Sequence, residues 1–443
     1  GLADVGQVPQ VSRIVSVPSA AAGRLKILIY GLNFAPELTG IGRFTGDMAR
    51  WLAAHGHAVH AITAPPYYPE WRHGAGYSRF GWTREEHEGV VVQRCPLYVP
   101  ARPDGLRRLA HLMSFATSSW LPVLWHVVRW RPDVVFNVEP ALLTAPGARY
   151  AAWLADALSW LHVQDFEVDA AFDLGMLPPR FAGPAGSFER AITRSFHTVS
   201  TISPNMLARL AAKGVAPDRS VLFPNWVETD RIRPDVPAAG LRGRLGIPAE
   251  AVVALYSGNM GEKQGVGTII AAARRLADDP GADAVRFVLC GEGAGRHAIE
   301  AALAGQPGLA AHIQLLPLQP EAELPALLAM ADLHLLPQRA EAADLVMPSK
   351  LGGMLASGRP IVAAAAEGTQ IASAVEGCGI VVPPENAEAM AVAIAALAGD
   401  PGRRTVLGAV ARTRAVALWD RDRVLARFET ELLARVAAHR SAA

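Results

Sequence analysis

Two lysines stand in loops that open helices, and both suit work on a phosphate. Lys350 follows Pro348 and Ser349 in the stretch LVMPSKLGGMLASGRPIVA, residues 345–363. A Pro-Ser helix start leaves backbone N–H groups free to point outward. A lysine on that first turn adds charge to an anion site the helix dipole has already begun. Lys263 lies in SGNMGEKQG, residues 257–265, a glycine loop between a strand and a helix. Glycines at such a place let backbone approach a ligand closely. The pattern predicts that a nucleotide diphosphate is held by Gly258, Asn259, Lys263, Pro348, Ser349, Lys350 and Leu351. Gly291, Glu292 and Leu316 close neighbouring strands and join the candidates, with Gly40 and Gly42 of an earlier glycine loop. The plain alternative is that each is one more strand–loop–helix unit of an α/β sheet.

A second group consists of Glu139, Gln164 and Asp165, which stand just past two apolar strands. Open α/β sheets keep their ligands at the carboxyl ends of parallel strands. These residues are therefore the candidates for catalysis, and a helix cap or a loop ion pair is the other reading. The first loop is not G-x-G-x-x-G and no acidic residue closes the second strand, which argues against a nicotinamide cofactor. The strand ends carry no Asp-x-Asp cluster of carboxylates of the kind that binds a metal-diphosphate, so neither a metal nor any other cofactor is expected. Cys95, Cys290 and Cys378 are scattered, which suits a reducing compartment and argues against disulfides or zinc.

Those residues need elements to position them. The 443 residues are 51% hydrophobic and carry a net charge of +1, enough for two cores and no general argument for nucleic acid. Residues 1–23 are small and polar and predict a disordered tail without the apolar run of a signal peptide. Strands are predicted at 26–30, 58–64, 134–138, 159–163 and 198–202, with a helix over 43–55. A Pro- and Gly-punctuated stretch from Leu222 to Pro248 is the domain boundary. Beyond it, strands at 252–256, 286–290, 313–316, 333–336, 361–363 and 380–382 alternate with helices, and a last helix spans 421–438. Alternation in both halves predicts two doubly wound domains. The loop PPYYPEW at 65–71 is either a substrate platform or a small satellite core. Within Gly105 to Trp130 an apolar run from Leu109 to Val128 has Trp120, Trp125 and Trp130 inside or beside it, with Arg102, Arg107 and Arg108 before it and Arg129 and Arg131 after it. It reads as a membrane span, an interfacial helix or a plain buried helix.

In order and spacing, these motifs resemble the GT-B glycosyltransferases, and within them glycosyltransferase family 4. The likeness runs from Arg24 to about Ala438. It rests on Gly40-Ile41-Gly42, PNWVETD at 224–230, SGNMGEKQG, GEG at 291–293 and PSKLGGMLASGRPIV. SGNMGEKQGV and ADLVMPSKL look especially like enzymes of bacterial exopolysaccharide synthesis. The resemblance implies two Rossmann-like domains across a cleft: 24–225 for the acceptor, 226–417 for the nucleotide sugar, and 418–443 crossing back to the first. It implies a retaining, metal-independent hexosyltransferase acting from GDP-fucose or a UDP-sugar on a polyprenyl-diphosphate-linked saccharide. That acceptor implies a cytoplasmic protein peripheral on the inner membrane, with no nucleic-acid partner. Two features depart from the family. Asn259 stands where many relatives carry arginine, and Gly353 stands where a ribose-holding glutamate is usual, with Asp344 as a possible substitute. Gln164-Asp165 occupies a position often His-Asp, and His162 is the nearby alternative. A GT-B nucleotide-sugar 2-epimerase and an inactive sugar-nucleotide-binding scaffold are the competing readings.

Overall fold

The computed structural model describes residues 23–37, 40–101, 105–140, 142–166, 180, 182–261, 264–277, 284–293, 295–339 and 350–442. Lys263, Asp344, Pro348 and Ser349 lie outside the described residues, as does Arg102.

The first half builds an eight-stranded sheet: β1 (Lys26–Gly31), β2 (Ala58–Thr63), β3 (Thr83–His87), β4 (Val90–Arg94), β5 (Val134–Glu139), β6 (Leu158–Val163), β7 (Thr198–Thr201) and β8 (Ser220–Leu222). Their spatial order is β3-β4-β2-β1-β5-β6-β7-β8, parallel except for the β3–β4 pair. The second half builds β9 (Val252–Ser257), β10 (Val285–Cys290), β11 (Ile313–Leu316), β12 (Leu333–Leu336), β13 (Ile361–Ala364) and β14 (Gly379–Val382). Their order is β11-β10-β9-β12-β13-β14, and every pair is parallel. Strand order reverses between β1 and β5 in one sheet and between β9 and β12 in the other. Such reversals open a crevice at the carboxyl ends of the two strands.

Both sheets are covered on both faces, which is why their strands read as unbroken apolar runs. Side chains alternate between the two faces. Leu28 and Tyr30 of β1 join one core, while Ile27 and Ile29 join the other. The helices used below are α1 (Gly40–Ala54), α2 (Gly105–Trp130), α3 (Ala145–Ala155), α4 (Val266–Ala277), α5 (Lys350–Ala356), α6 (Ala387–Ala398), α7 (Pro401–Leu418) and α8 (Arg421–Ala442). α2 and α3 cover one face of the first sheet through Phe115, Val123, Val127 and a run of buried alanines. α8 returns to the opposite face, where Val424, Leu425, Phe428, Leu432 and Val436 pack on Phe136 and Trp160. His57 Nε2 meets Glu429 Oε1 at 2.8 Å beside that contact.

Three local features have physical causes, and the first two depart from the sequence reading. α1 begins at Gly40, three residues earlier than periodicity predicts, and takes the glycine loop into its first turn. A Cβ on Gly42 would stand 2.3 Å from Glu37 Oε2, so glycine is required there by packing. The β3–β4 hairpin escapes notice because its outer strand, TREEH, is polar and half exposed. Finally, Pro122 sits inside α2 without ending it. A proline removes the N–H that would serve the carbonyl four residues back. Here Ser118 carries that carbonyl, and Trp82 Nε1 donates to it at 2.8 Å.

Candidate active site

Three loops meet at the crevice of the second sheet. Gly258 N–H donates to Cys290 O at 2.9 Å, Met260 N–H to Glu292 O at 2.8 Å, and Gly291 N–H to Leu316 O at 3.1 Å. These bonds bring Gly258, Asn259, Gly291, Glu292 and Leu316 together. The approach is tight: a Cβ on Gly291 would lie 1.9 Å from Gly258 O, and one on Gly293 would lie 2.6 Å from Asn259 Oδ1. Both glycines have positive φ, 152° and 144°, which side chains rarely tolerate. Arg296 fastens the base of the loops by donating to Gly291 O at 2.8 Å and Leu316 O at 2.9 Å.

Lys350 enters this crevice from the first residue of α5. Its Nζ lies 4.5 Å above the Tyr256 ring, 3.3 Å from Tyr256 Oη and 3.1 Å from Gln264 Oε1. Gly258 makes room for it, since a Cβ there would stand 3.2 Å from Lys350 Cδ. Burial lowers the lysine pKa from 10.5 to about 8, because desolvation disfavours the charged form. Tyr256 is pushed up by burial for the same reason. A desolvated ammonium without a carboxylate among its described contacts is suited to receive an anion. Leu351, by contrast, is fully buried in the domain core with Met354 and Leu355. Gly353 is also turned toward the core: a Cβ there would meet Leu328 Cδ1 at 3.3 Å and Ile232 Cδ1 at 3.7 Å.

The crevice of the first sheet contains Glu139, buried at the end of β5. Asn137, two residues earlier, donates to Tyr30 O and Thr144 Oγ1, each at 2.9 Å, and so ties β1 to the start of α3. Gln164 and Asp165 follow β6, and Gln164 Oε1 accepts from Asn225 Nδ2 at 3.0 Å across to the PNWVETD segment at 224–230, the hinge between the two halves of the chain. Asp165 remains half-buried. His162 is buried in the sheet between Phe136 and Phe223, its Nδ1 2.8 Å from Ser200 Oγ. Burial lowers its pKa to about 3. The histidine alternative is therefore a core residue, packed between the sheet and Phe223.

Sequence reasoning missed a buried carboxylate on this side. Glu37 accepts from Asn33 Nδ2 at 2.9 Å and from the N–H groups of Tyr67 and Tyr68, both at 3.2 Å. Desolvation raises its pKa against those bonds and the nearby Arg94 charge. Arg94 is itself buried and donates to Ala35 O at 2.7 Å and Ala64 O at 3.0 Å. Together they pin the 65–71 loop. Tyr67 and Trp71 thus join the core while Tyr68 stays exposed. An Asn and a Glu four apart in an apolar loop was the available signal.

α2 lies on the outer face with Phe115, Val123 and Val127 turned inward. Leu106, Leu109, Met113, Leu121, Trp125 and Val128 remain exposed along it, and Tyr150, Trp153 and Leu154 extend that surface onto α3. Trp120 rests on Gly147 and Tyr150 beside a pocket of about 400 Å³. Trp130 instead stacks on His60 at 3.8 Å. Among the described residues no helix is long and apolar enough to cross a membrane, which leaves the span reading of this stretch unsupported. Also among them, no group of three or more His, Cys, Asp or Glu is placed to hold a metal ion.

Comparison with known proteins agrees with this architecture. Residues 39–226 match the family described as Glycosyl transferase 4-like domain, and residues 251–400 match Glycosyl transferases group 1. The chain is 43% identical over 417 residues to the putative colanic acid biosynthesis glycosyl transferase WcaI of Escherichia coli K12, covering 92% of this chain and 100% of that protein. Sucrose-phosphate synthase from Thermosynechococcus elongatus superposes with a TM-score of 0.69 at 19% identity, over 94% of this chain and 100% of the other. HepE from Anabaena, solved in complex with UDP, gives 0.66 at 16% identity over 92% and 99%. With two doubly wound sheets, a returning C-terminal helix and an end-to-end relative, the chain belongs to the glycosyltransferases of family 4 and has the GT-B fold.

Proposed function

We propose that this glycosyltransferase moves a sugar, with retention, from a nucleotide donor in the second crevice to a lipid-linked saccharide on the first domain. The observation that carries the donor half is Lys350, a desolvated ammonium at the switch point between β9 and β12. When the sugar leaves, negative charge develops on the nucleotide diphosphate. A preorganised cation in a low-dielectric site stabilises that charge without a metal ion. Lys263, in the loop after β9, would add a second cation. Asp165, half-buried after β6, and Glu139 beside it would orient the acceptor hydroxyl and take its proton, with Gln164 holding the hinge. A HepE structure holds UDP, which supports a nucleotide site in this fold.

The exposed apolar face of α2 and α3 supports a lipid-linked acceptor. Its aromatic and aliphatic side chains lie beside Arg107, Arg108, Arg129 and Arg131, a pairing suited to an anionic membrane surface. We therefore read the protein as peripheral on the cytoplasmic leaflet. The colanic acid relative supports an exopolysaccharide role and makes GDP-fucose a donor to test beside UDP-sugars. The test is to incubate the protein with a panel of GDP- and UDP-sugars, with and without a polyprenyl-diphosphate-linked sugar. Transfer that requires the lipid acceptor, with retained anomeric configuration, is the expected result. Conversion of the nucleotide sugar alone would mean an epimerase, and binding without turnover would mean a scaffold.

A further inference from the structure

The crevice of the second sheet contains an arginine that the motifs do not mark. Arg339 follows β12 by three residues, on the far side of the switch point from the glycine loop. A Cβ on Gly265 would lie 3.5 Å from both Arg339 N and Arg339 Cγ, so the arginine backs that loop directly. Gln264, the preceding residue, accepts the bond from Lys350 Nζ at 3.1 Å. Arg339 and Lys350 therefore meet the same short segment.

Three other arginines of this domain are fixed on backbone carbonyls. Arg242 donates to Met330 O and Asp332, Arg296 to Gly291 O and Leu316 O, and Arg412 to Ile232 O, Ala356 O and Thr229 O. Arg339 differs. Among the described residues its guanidinium makes no hydrogen bond, and its Nε is shielded from solvent without a hydrogen-bond partner. Its ionic partner there is Glu385, 3.5 Å from Nε, with the two side chains 39% and 50% exposed. A pair so exposed and so loosely made contributes little to stability. Glu385 stands just before α6 at a φ of 57°, at the end of the same sheet.

We propose that Arg339 is a donor-binding residue that exchanges Glu385 for the diphosphate of a nucleoside diphosphate sugar. A guanidinium presents paired N–H groups that match two phosphate oxygens, whereas Lys350 offers a point charge. Glu385 then acts as a resident competitor that neutralises the arginine until donor arrives. This rests on the reading of the second domain as the donor domain.

Calorimetric titration of the full chain with GDP and UDP, and with GMP and UMP, tests both layers. If the parent protein binds neither diphosphate, the donor-site reading fails and this proposal with it. If it binds one, Arg339→Ala should raise that Kd about ten-fold or more, and should change the monophosphate Kd by less than about three-fold, since one phosphate oxygen pair is absent. Glu385→Gln leaves the arginine in place and should tighten the diphosphate by about two-fold or more. That second variant guards against a folding defect in the first, because its effect has the opposite sign. A diphosphate Kd within two-fold of the parent in Arg339→Ala, or one weakened in Glu385→Gln, would overturn the proposal while leaving the donor site intact.

Discussion

Lys350→Met should make the empty protein more stable and a nucleotide-loaded one weaker. The lysine is held charged in a desolvated place, and its pKa falls from 10.5 to about 8. At about 1.4 kcal/mol per unit, that drop corresponds to about 3 kcal/mol of native-state cost at neutral pH. The sign follows from the direction of the shift. Below about pH 8 the lysine is charged both folded and unfolded, and the cost is present in full. Between about 8 and 10.5 the folded protein releases the proton first, so the cost disappears as pH rises. Methionine fills a similar volume without charge, and Tyr256 Oη keeps its bond to Asn259 O. Thermal unfolding at pH 7 should therefore show a higher Tm for Lys350→Met, at about 2–4 °C per kcal/mol for a domain of this size. The gain should shrink toward zero by pH 10.5. In the same variant the Kd for the bound nucleoside diphosphate should rise about ten-fold or more, since a charge-assisted bond of about 1.5–3 kcal/mol is gone. The parent's diphosphate affinity should also decline above pH 8, where binding must first restore the proton. A lower Tm at pH 7 together with an unchanged diphosphate Kd would refute this reasoning and make the lysine a packing residue.

The other expectations are briefer. Asp165→Asn should reduce transfer by about a hundred-fold or more while leaving the donor Kd unchanged, as befits an acceptor-side acid or base; equal losses in both would place Asp165 in the fold. Transfer should persist in EDTA, and a rate abolished by EDTA and recovered with Mg²⁺ or Mn²⁺ would contradict the assignment of diphosphate charge to lysine and arginine. The parent protein should pellet with anionic vesicles at low salt and wash off at high salt. Replacing Arg107 and Arg108 with Glu should weaken pelleting by about 1 kcal/mol or more per site, and Trp125→Ala with Trp153→Ala should weaken it further, with diphosphate binding unchanged. Indifference of the parent to such vesicles would return α2 to an ordinary outer helix.

The fold was legible because parallel strands covered on both faces must be continuously apolar. KILIY, VVFNV and VVALY could be little else, and glycine loops after the first strand of each half marked where the helices begin. The β3–β4 hairpin was illegible for the same reason reversed: an antiparallel edge strand faces water and need not be apolar. α2 was legible as a helix, but how it crosses its own proline was not. Its continuity depends on Trp82, 36 residues away in sequence, serving the carbonyl that Pro122 leaves open.

The candidate site was legible only where its chemistry is local. Gly258, Gly291 and Lys350 each follow or open an element, so their meeting is dictated by strand order once the sheet is doubly wound. Arg339 carries no such mark, because nothing in its neighbours separates an arginine bonded to carbonyls from one left loosely paired. That distinction exists only in space, in the contrast between Arg296 between two carbonyls and Arg339 against an exposed Glu385. Gly353 shows the same limit from the other side. Sequence registers the absence of a carboxylate there, and the structure adds that Leu328 and Ile232 occupy the direction a side chain would take. Restoring the family residue by Gly353→Glu would therefore drive a charge into the apolar core of the second domain, which costs several kcal/mol for an unpaired carboxylate. The variant should lose stability and gain no nucleotide affinity. A stable Gly353→Glu protein with tighter GDP or UDP binding would mean that α5 turns to present this position to the crevice.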